Sequence, residues 1–245
     1  MYNKTAEHIE YIDDRLRLIV SPAHTFGTDA LLLAAFSLPK RNSLCIDFGT
    51  GCGIIPFYWL REGVQKVCAV ELQPLACDQV RRSIALNGIE ERFSLIEGDL
   101  TDLRGILPFG KFDFVTMNPP YTPCGSGIMS STEADRTARH ETRLTFPELC
   151  RSAGELLKFG GSFSVCLRPE RLTDAMCSMR ENGIEPKRLR FVAQRPEKTP
   201  WLFLLEGKKG RRPGLIVEKE LYIESPDGSP SEEMLKIIGS YKKDG

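Results

Sequence analysis

The chain is poor in several things, and each absence narrows the field. No apolar run approaches the ~20 residues of a membrane-spanning helix; the longest candidate, Ala30 to Leu38, falls well short, so no membrane partner is expected. There is no charge bias: 33 Lys and Arg face 33 Asp and Glu, without the overall basic balance of many nucleic-acid-binding chains. Eight cysteines are present but no C-x-x-C pair, and none of the three histidines stands at zinc-ligand spacing from a cysteine, so no metal is expected. Most cysteines sit inside apolar runs such as Leu44-Cys45-Ile46, Val67-Cys68-Ala69 and Val165-Cys166-Leu167, which reads as small buried hydrophobes in a reducing compartment. The opening Met1-Tyr2-Asn3-Lys4 lacks a basic-then-apolar pattern, so a cytoplasmic location is expected. No repeat or low-complexity tract is visible.

What is present is an ordinary globular composition, 41% apolar and 27% charged over 245 residues, with strands and helices in alternation. Leu44 to Phe48, Lys66 to Glu71, Phe93 to Glu97, Phe112 to Met117 and Ser162 to Leu167 read as short buried strands. Helices are expected at Thr28 to Phe36, capped by Thr28 or Asp29, and at Ile54 to Arg61. Two more are expected at Pro74 to Asn87, with proline at its start and Asn87-Gly88 at its end, and at Phe146 to Lys158, stopped by Gly160-Gly161. A further helix over 170–182 precedes two strands near 187–194 and 201–206 that form a hairpin. The tail from Ser225 reads as a loop and a short capped helix. Alternation of this kind predicts an α/β fold: a Rossmann-like, doubly wound, mostly parallel seven-stranded sheet closed by a C-terminal antiparallel hairpin strand. Residues 1–43 read as an N-terminal extension packing on the core, and residues 44–245 as the main domain.

The turn after the first core strand is Asp47-Phe48-Gly49-Thr50-Gly51-Cys52-Gly53. Its glycine spacing differs from the G-x-G-x-x-G nicotinamide fingerprint. Glycines there let backbone approach a ligand and adopt positive φ, and the next helix N-terminus can face an anionic group. Glu71 ends the second core strand, where a carboxylate can accept both hydroxyls of a ribose. Asp99 follows the third, where it can accept from an exocyclic amine.

Asn118-Pro119-Pro120-Tyr121 follows the fourth core strand, at the strand end where open α/β sheets bind ligands. The prolines remove two backbone donors and leave carbonyl acceptors in a rigid frame. An amide side chain, such carbonyls and an aromatic face suit the grip of a planar amide or an exocyclic amine.

Taken in order, these features resemble the class I S-adenosylmethionine-dependent methyltransferases, over roughly residues 24–206. The resemblance implies that Gly49, Thr50, Gly51 and Gly53 carry the methionine part of S-adenosylmethionine, with Asp47 supporting its amino group or ordering the turn. It implies that Glu71 holds the ribose and Asp99 the adenine, with Thr28, Leu72, Leu100 and Asn118 completing the cofactor site. Asn-Pro-Pro-Tyr in this slot resembles the amino-group methyltransferases. It implies catalytic roles for Asn118, Pro119, Pro120 and Tyr121, with Tyr121 stacking on a flipped base. The segment His24-Thr25-Phe26-Gly27-Thr28-Asp29, with Ala138-Arg139-His140-Glu141 after the tetrapeptide, is similar to the tRNA1(Val) adenine-N6 methyltransferase family. In that reading the Phe-Gly-Thr-Asp segment folds over the cofactor and the partner is tRNA, modified near the anticodon. A protein glutamine N5-methyltransferase of the release-factor type, or another rRNA or DNA amino-methyltransferase, is the alternative.

An RNA partner would need cations near the tetrapeptide. The long connection over 122–144 bears Arg136, Arg139, His140 and Arg143, which are expected to contact RNA phosphates. Two further basic clusters lie at 187–195 and 208–212.

Overall fold

The computed structural model describes residues 7–119, 145–239 and 241. Three strands, β3 (Cys45–Phe48), β4 (Val67–Glu71) and β6 (Phe112–Met117), are buried along almost their whole length. That is why they read as continuous apolar runs: a parallel strand covered by helices on both faces has no solvent side to mark with polar residues. They pair in parallel, Cys45 opposite Val67 on one side and Phe114 on the other. β5 (Phe93–Glu97) adds to β4, and β7 (Leu157–Leu167) adds to β6, both parallel.

β8 (Ile184–Ala193) and β9 (Leu202–Lys209) form the expected antiparallel hairpin. β9 inserts between β7 and β8, antiparallel to both, so the main order is β8-β9-β7-β6-β3-β4-β5. These are the seven expected strands. Two short strands that sequence patterning does not reveal, β10 (Ile216–Val217) and β11 (Leu221–Tyr222), extend the β8 edge in parallel. Before the sheet, β1 (His8–Tyr11) and β2 (Arg17–Val20) make a separate hairpin.

Helices cover both faces. α1 (Thr28–Phe36), α2 (Ile54–Arg61) and α3 (Pro74–Asn87) bury Leu32, Phe57, Trp59 and Val80 in one core cluster, which also takes Leu18 and Val20 of β2. α4 (Phe146–Leu156) and α5 (Leu172–Glu181) bury Leu149, Ala153 and Met179 in the other. A last helix, α6 (Glu232–Ile238), is capped by the Ser231 hydroxyl. The β2 edge is pinned to α3: Asn87 Oδ1 accepts from Arg17 N–H at 2.8 Å and Ser83 Oγ from Ile19 N–H at 3.0 Å. No described helix is long and apolar enough to cross a membrane.

The helix expected over 170–182 runs as α5 from Leu172 to Glu181, and one further helix end and one helix cap are built differently from the sequence reading. α4 opens as a capping box between Thr145 and Glu148. It ends at Leu156 instead of Lys158, and the chain passes straight into β7. Gly160 and Gly161 do not stop the helix; they lie where the register against β6 slips between Phe112 and Phe114. Gly160 sits at φ 77°, and a Cβ on Gly161 would come within 2.9 Å of the Phe112 carbonyl. At the start of α1 the capping position belongs to Gly27, and no side chain caps the helix. The Asp29 carboxylate is used elsewhere.

Candidate active site

The strand order reverses at β3 and β6, and the carboxyl ends of those two strands frame a crevice. The glycine turn fills one side. Gly49, Gly51 and Gly53 have φ of 61°, 56° and 90°, a region in which side-chain-bearing residues are strained. Nothing lies within 4 Å of a Cβ added at Gly51, so its backbone faces open space, whereas a Cβ on Gly49 would lie 3.3 Å from Met117 Cε. The turn therefore presses directly against the end of β6, next to Asn118.

Glu71 ties the turn down. Its Oε2 accepts from Gly51 N–H at 2.8 Å and its Oε1 from Gln73 N–H at 2.9 Å. The carboxylate is buried yet keeps lone pairs on both oxygens. Gly49 and Thr50 donate their N–H groups to the Val70 carbonyl, so β4 holds the turn by backbone and side chain alike.

Asp47 is 1% exposed. Its Oδ1 and the Thr50 Oγ1 are buried with no hydrogen-bond partner among the described residues. Burial pushes the Asp47 carboxyl up to about 8; the neighbouring Thr50 side chain opposes the rise, and the Glu71 charge adds to it. His24 in the N-terminal segment is held below its usual value by burial, against the pull of Glu71, which sets this segment near the end of β4. Thr28 is exposed at the first turn of α1, and Leu72 is half-buried after β4. Leu100 packs against the second core cluster. Asp99 is exposed, and its Oδ1 closes a local turn by accepting from Thr101 N–H at 2.7 Å and Thr101 Oγ1 at 2.8 Å. No hydrogen bond links it to the glycine turn among the described residues.

Asn118 and Pro119 leave β6 half-buried. Asn118 Nδ2 donates to Asp29 Oδ2 at 3.0 Å, and Asn118 Oδ1 accepts from Cys166 Sγ at 3.0 Å. A cavity of about 360 Å³ adjoins this corner, lined by Thr28, Asp29, Arg168, Gln194, Trp201 and Ile223. Sequence reading gave no sign of Arg168 or Trp201 at this corner, and it took Asp29 as a helix cap or as part of a segment over the cofactor, not as a partner of Asn118. Pro120, Tyr121, Arg136, Arg139, His140 and Arg143 lie outside the described residues.

The arginines of the basic cluster at 187–195 are paired with acids, and Lys187 donates to the Arg212 carbonyl. Arg188 pairs with Glu206 and Glu218, Arg190 with Glu233 and Arg195 with Glu224. The buried cysteines 45, 52 and 150 have thiols pushed up to about 12 by burial, as inert apolar groups do.

The methyltransferase small domain family matches residues 25–171, more than half of the chain. A tRNA1(Val) (adenine(37)-N6)-methyltransferase of Porphyromonas gingivalis strain W83 is 30% identical over 191 residues, covering 74% of this chain and 72% of that protein. The protein of the same name from Shewanella woodyi is 26% identical over 225 residues, covering 89% and 92%. Among solved structures, a predicted O-methyltransferase from Agrobacterium tumefaciens superposes with a TM-score of 0.71 at 21% identity, covering 87% of this chain and 96% of that one; this likeness shows the fold. With the glycine turn, the buried carboxylates and the Asn118 corner set on that fold, the chain belongs to the methyltransferase small domain family.

Proposed function

We propose that this chain transfers a methyl group from S-adenosylmethionine to the exocyclic N6 of an adenine in tRNA, next to the anticodon. The observation that carries the reading is Asn118, half-buried just after β6, next to Met117 at the glycine turn, with its amide oxygen held as an acceptor by Cys166. The names of the Porphyromonas and Shewanella relatives support the adenine and the tRNA.

The residues fit the cofactor. The unpartnered Asp47 Oδ1 and Thr50 Oγ1 suit its amino-acid end, Gly51 leaves backbone room beside them, and the spare lone pairs of Glu71 suit two ribose hydroxyls. When bound, the cofactor supplies an electrophilic sulfonium methyl. The protein has the harder task on the acceptor, because the lone pair of an exocyclic amine is delocalised into its ring. Asn118 Oδ1 and the Pro119 carbonyl accept the two amine hydrogens, which favours a pyramidal nitrogen with its lone pair available. Holding that nitrogen in line with the methyl lowers the barrier further. As the N–C bond forms and the C–S bond breaks, the nitrogen becomes acidic. A neutral amide oxygen is too weak a base to retain the proton, so it leaves to water.

The test is incubation of the purified protein with methyl-labelled cofactor and unmodified bulk tRNA, followed by digestion to nucleosides. Labelled N6-methyladenosine is the expected product. An unlabelled RNA pool alongside confirmed cofactor binding would overturn the tRNA reading and point to a protein amide.

A further inference from the structure

The inference concerns how Asn118 acquires its orientation, and it rests on the reading of Asn118 as the amine acceptor. An asparagine amide can turn over by half a rotation and exchange its donor and acceptor ends at almost no intrinsic cost. Only its neighbours decide which end faces a ligand. For an amine substrate the choice is decisive, because the oxygen accepts the amine hydrogens whereas the NH₂ opposes them donor to donor.

Three segments far apart in sequence meet at this amide. Asp29, on the first turn of α1, takes the Nδ2 hydrogen at 3.0 Å through Oδ2. Cys166, near the end of β7, gives its thiol hydrogen to Oδ1 at 3.0 Å, while its sulfur lies 4.0 Å from the Asp29 main-chain carbonyl. A flipped amide would set its oxygen against an acceptor carboxylate, losing the bond to Asp29, and would keep only a weak N–H···S contact to Cys166. Gly27 shows that room is kept for this arrangement: a Cβ there would lie 2.5 Å from Asp29 Oδ1, although the Gly27 backbone, at φ −107°, is one that any residue can adopt.

We propose that Asp29 is a positioning residue for methyl transfer: it locks the Asn118 amide with its oxygen toward the acceptor amine, Cys166 steadies that oxygen, and Gly27 leaves the space that Asp29 needs.

Asp29→Asn is the informative variant, since a second amide can pair with Asn118 in either orientation. It should lower kcat by roughly 30-fold or more, while the dissociation constants for cofactor and tRNA stay within about threefold of wild type. Gly27→Ala, which keeps the carboxylate but forces its Oδ1 to shift, should show a smaller kcat-selective loss. Cys166→Ala should lose less, in keeping with a thiol as a weak donor. A side-chain readout separates this proposal from the substrate reading. In spectra of protein labelled with nitrogen-15 asparagine, the Asn118 NH₂ resonances should shift in Asp29→Asn, whatever the methyl acceptor proves to be. Full kcat in Asp29→Asn would overturn the proposal, as would unmoved Asn118 resonances or a parallel loss of kcat, cofactor affinity and thermal midpoint. Absence of N6-methyladenosine with wild-type protein would instead strike the substrate reading, leaving the resonance shift to decide the positioning role.

Discussion

The two halves of the crevice are built in opposite ways. The glycine turn is a local object: residues 47–53 are contiguous, and one outside side chain, Glu71, anchors them. The Asn118 corner is an assembly, drawing its side chains from α1, the end of β6 and β7. A local turn keeps its shape as long as its own backbone and one anchor survive. An assembled corner depends on the docking of three elements, so it also reports on how well they are docked.

The strongest way to separate the halves is Asn118→Ala. Turnover should fall by on the order of 10²–10³-fold, the usual loss when one preorganised polar group at a reacting centre is removed. Cofactor binding by equilibrium dialysis should hold; loss of both together would mean the halves are not separable. Glu71→Ala should do the converse. It leaves the Gly51 and Gln73 N–H groups without acceptors, at roughly 1–3 kcal/mol for each one that stays buried. Both cofactor affinity and the thermal midpoint should drop, and an unchanged dissociation constant would remove Glu71 from the binding site.

A third measurement uses pH. The Asp47 carboxyl is raised from an ordinary 3.8 to about 8 in the fold, so the folded chain holds a proton that the unfolded chain has released. The stability this proton contributes is complete below about 4, declines as pH rises, and is lost above about 8. Asp47→Asn keeps the shape without titrating. Thermal midpoints of wild type should therefore fall relative to this variant between about pH 5 and 8 and run parallel to it above that range. Parallel curves throughout would show that Asp47 is already ionised. The same proton makes cofactor binding sensitive to pH, because an ammonium is best met by the charged carboxylate; affinity should tighten from about pH 6 to 8 in wild type alone.

The smallest effect is expected far from the crevice. Arg190→Met removes a pair to Glu233 and a bond to the Lys219 carbonyl. It should cost about 1 kcal/mol or less, as partly exposed ion pairs do, and leave tRNA binding unchanged. A weaker tRNA affinity with a shallower salt dependence would put RNA on this face after all.

The parts that were legible share a physical cause. β3, β4 and β6 were readable because burial on both faces leaves an uninterrupted apolar run. α3 was readable because Pro74 opens it and Gly88, at φ 60°, closes it. The spacing of Gly49, Gly51 and Gly53 and the positions of Glu71 and Asn118 followed from where strands end. What stayed hidden was long-range pairing. Asp29 looked like a helix cap because its partner lies 89 residues away. The arginines at 188, 190 and 195 read only as a basic cluster of unassigned role because their acids come from β9 and the segments beyond it. Gly160-Gly161 looked like a helix stop because a register slip in a sheet has the same glycine signature as a chain break.

The placement of β9 bears on how the protein is made. It lies between β7 and β8 but emerges from the ribosome after both. Until residue 209 is synthesised, β7 presents an open apolar edge with nothing to pair with, the kind of edge on which chains associate with one another. An interruption of synthesis between Ala193 and Lys209 would release a chain whose glycine turn and Asn118 are complete and whose sheet is not. The exposure of that edge therefore falls at a point when the glycine turn, Glu71 and Asn118 already exist and Trp201 and the partner strand of β7 do not.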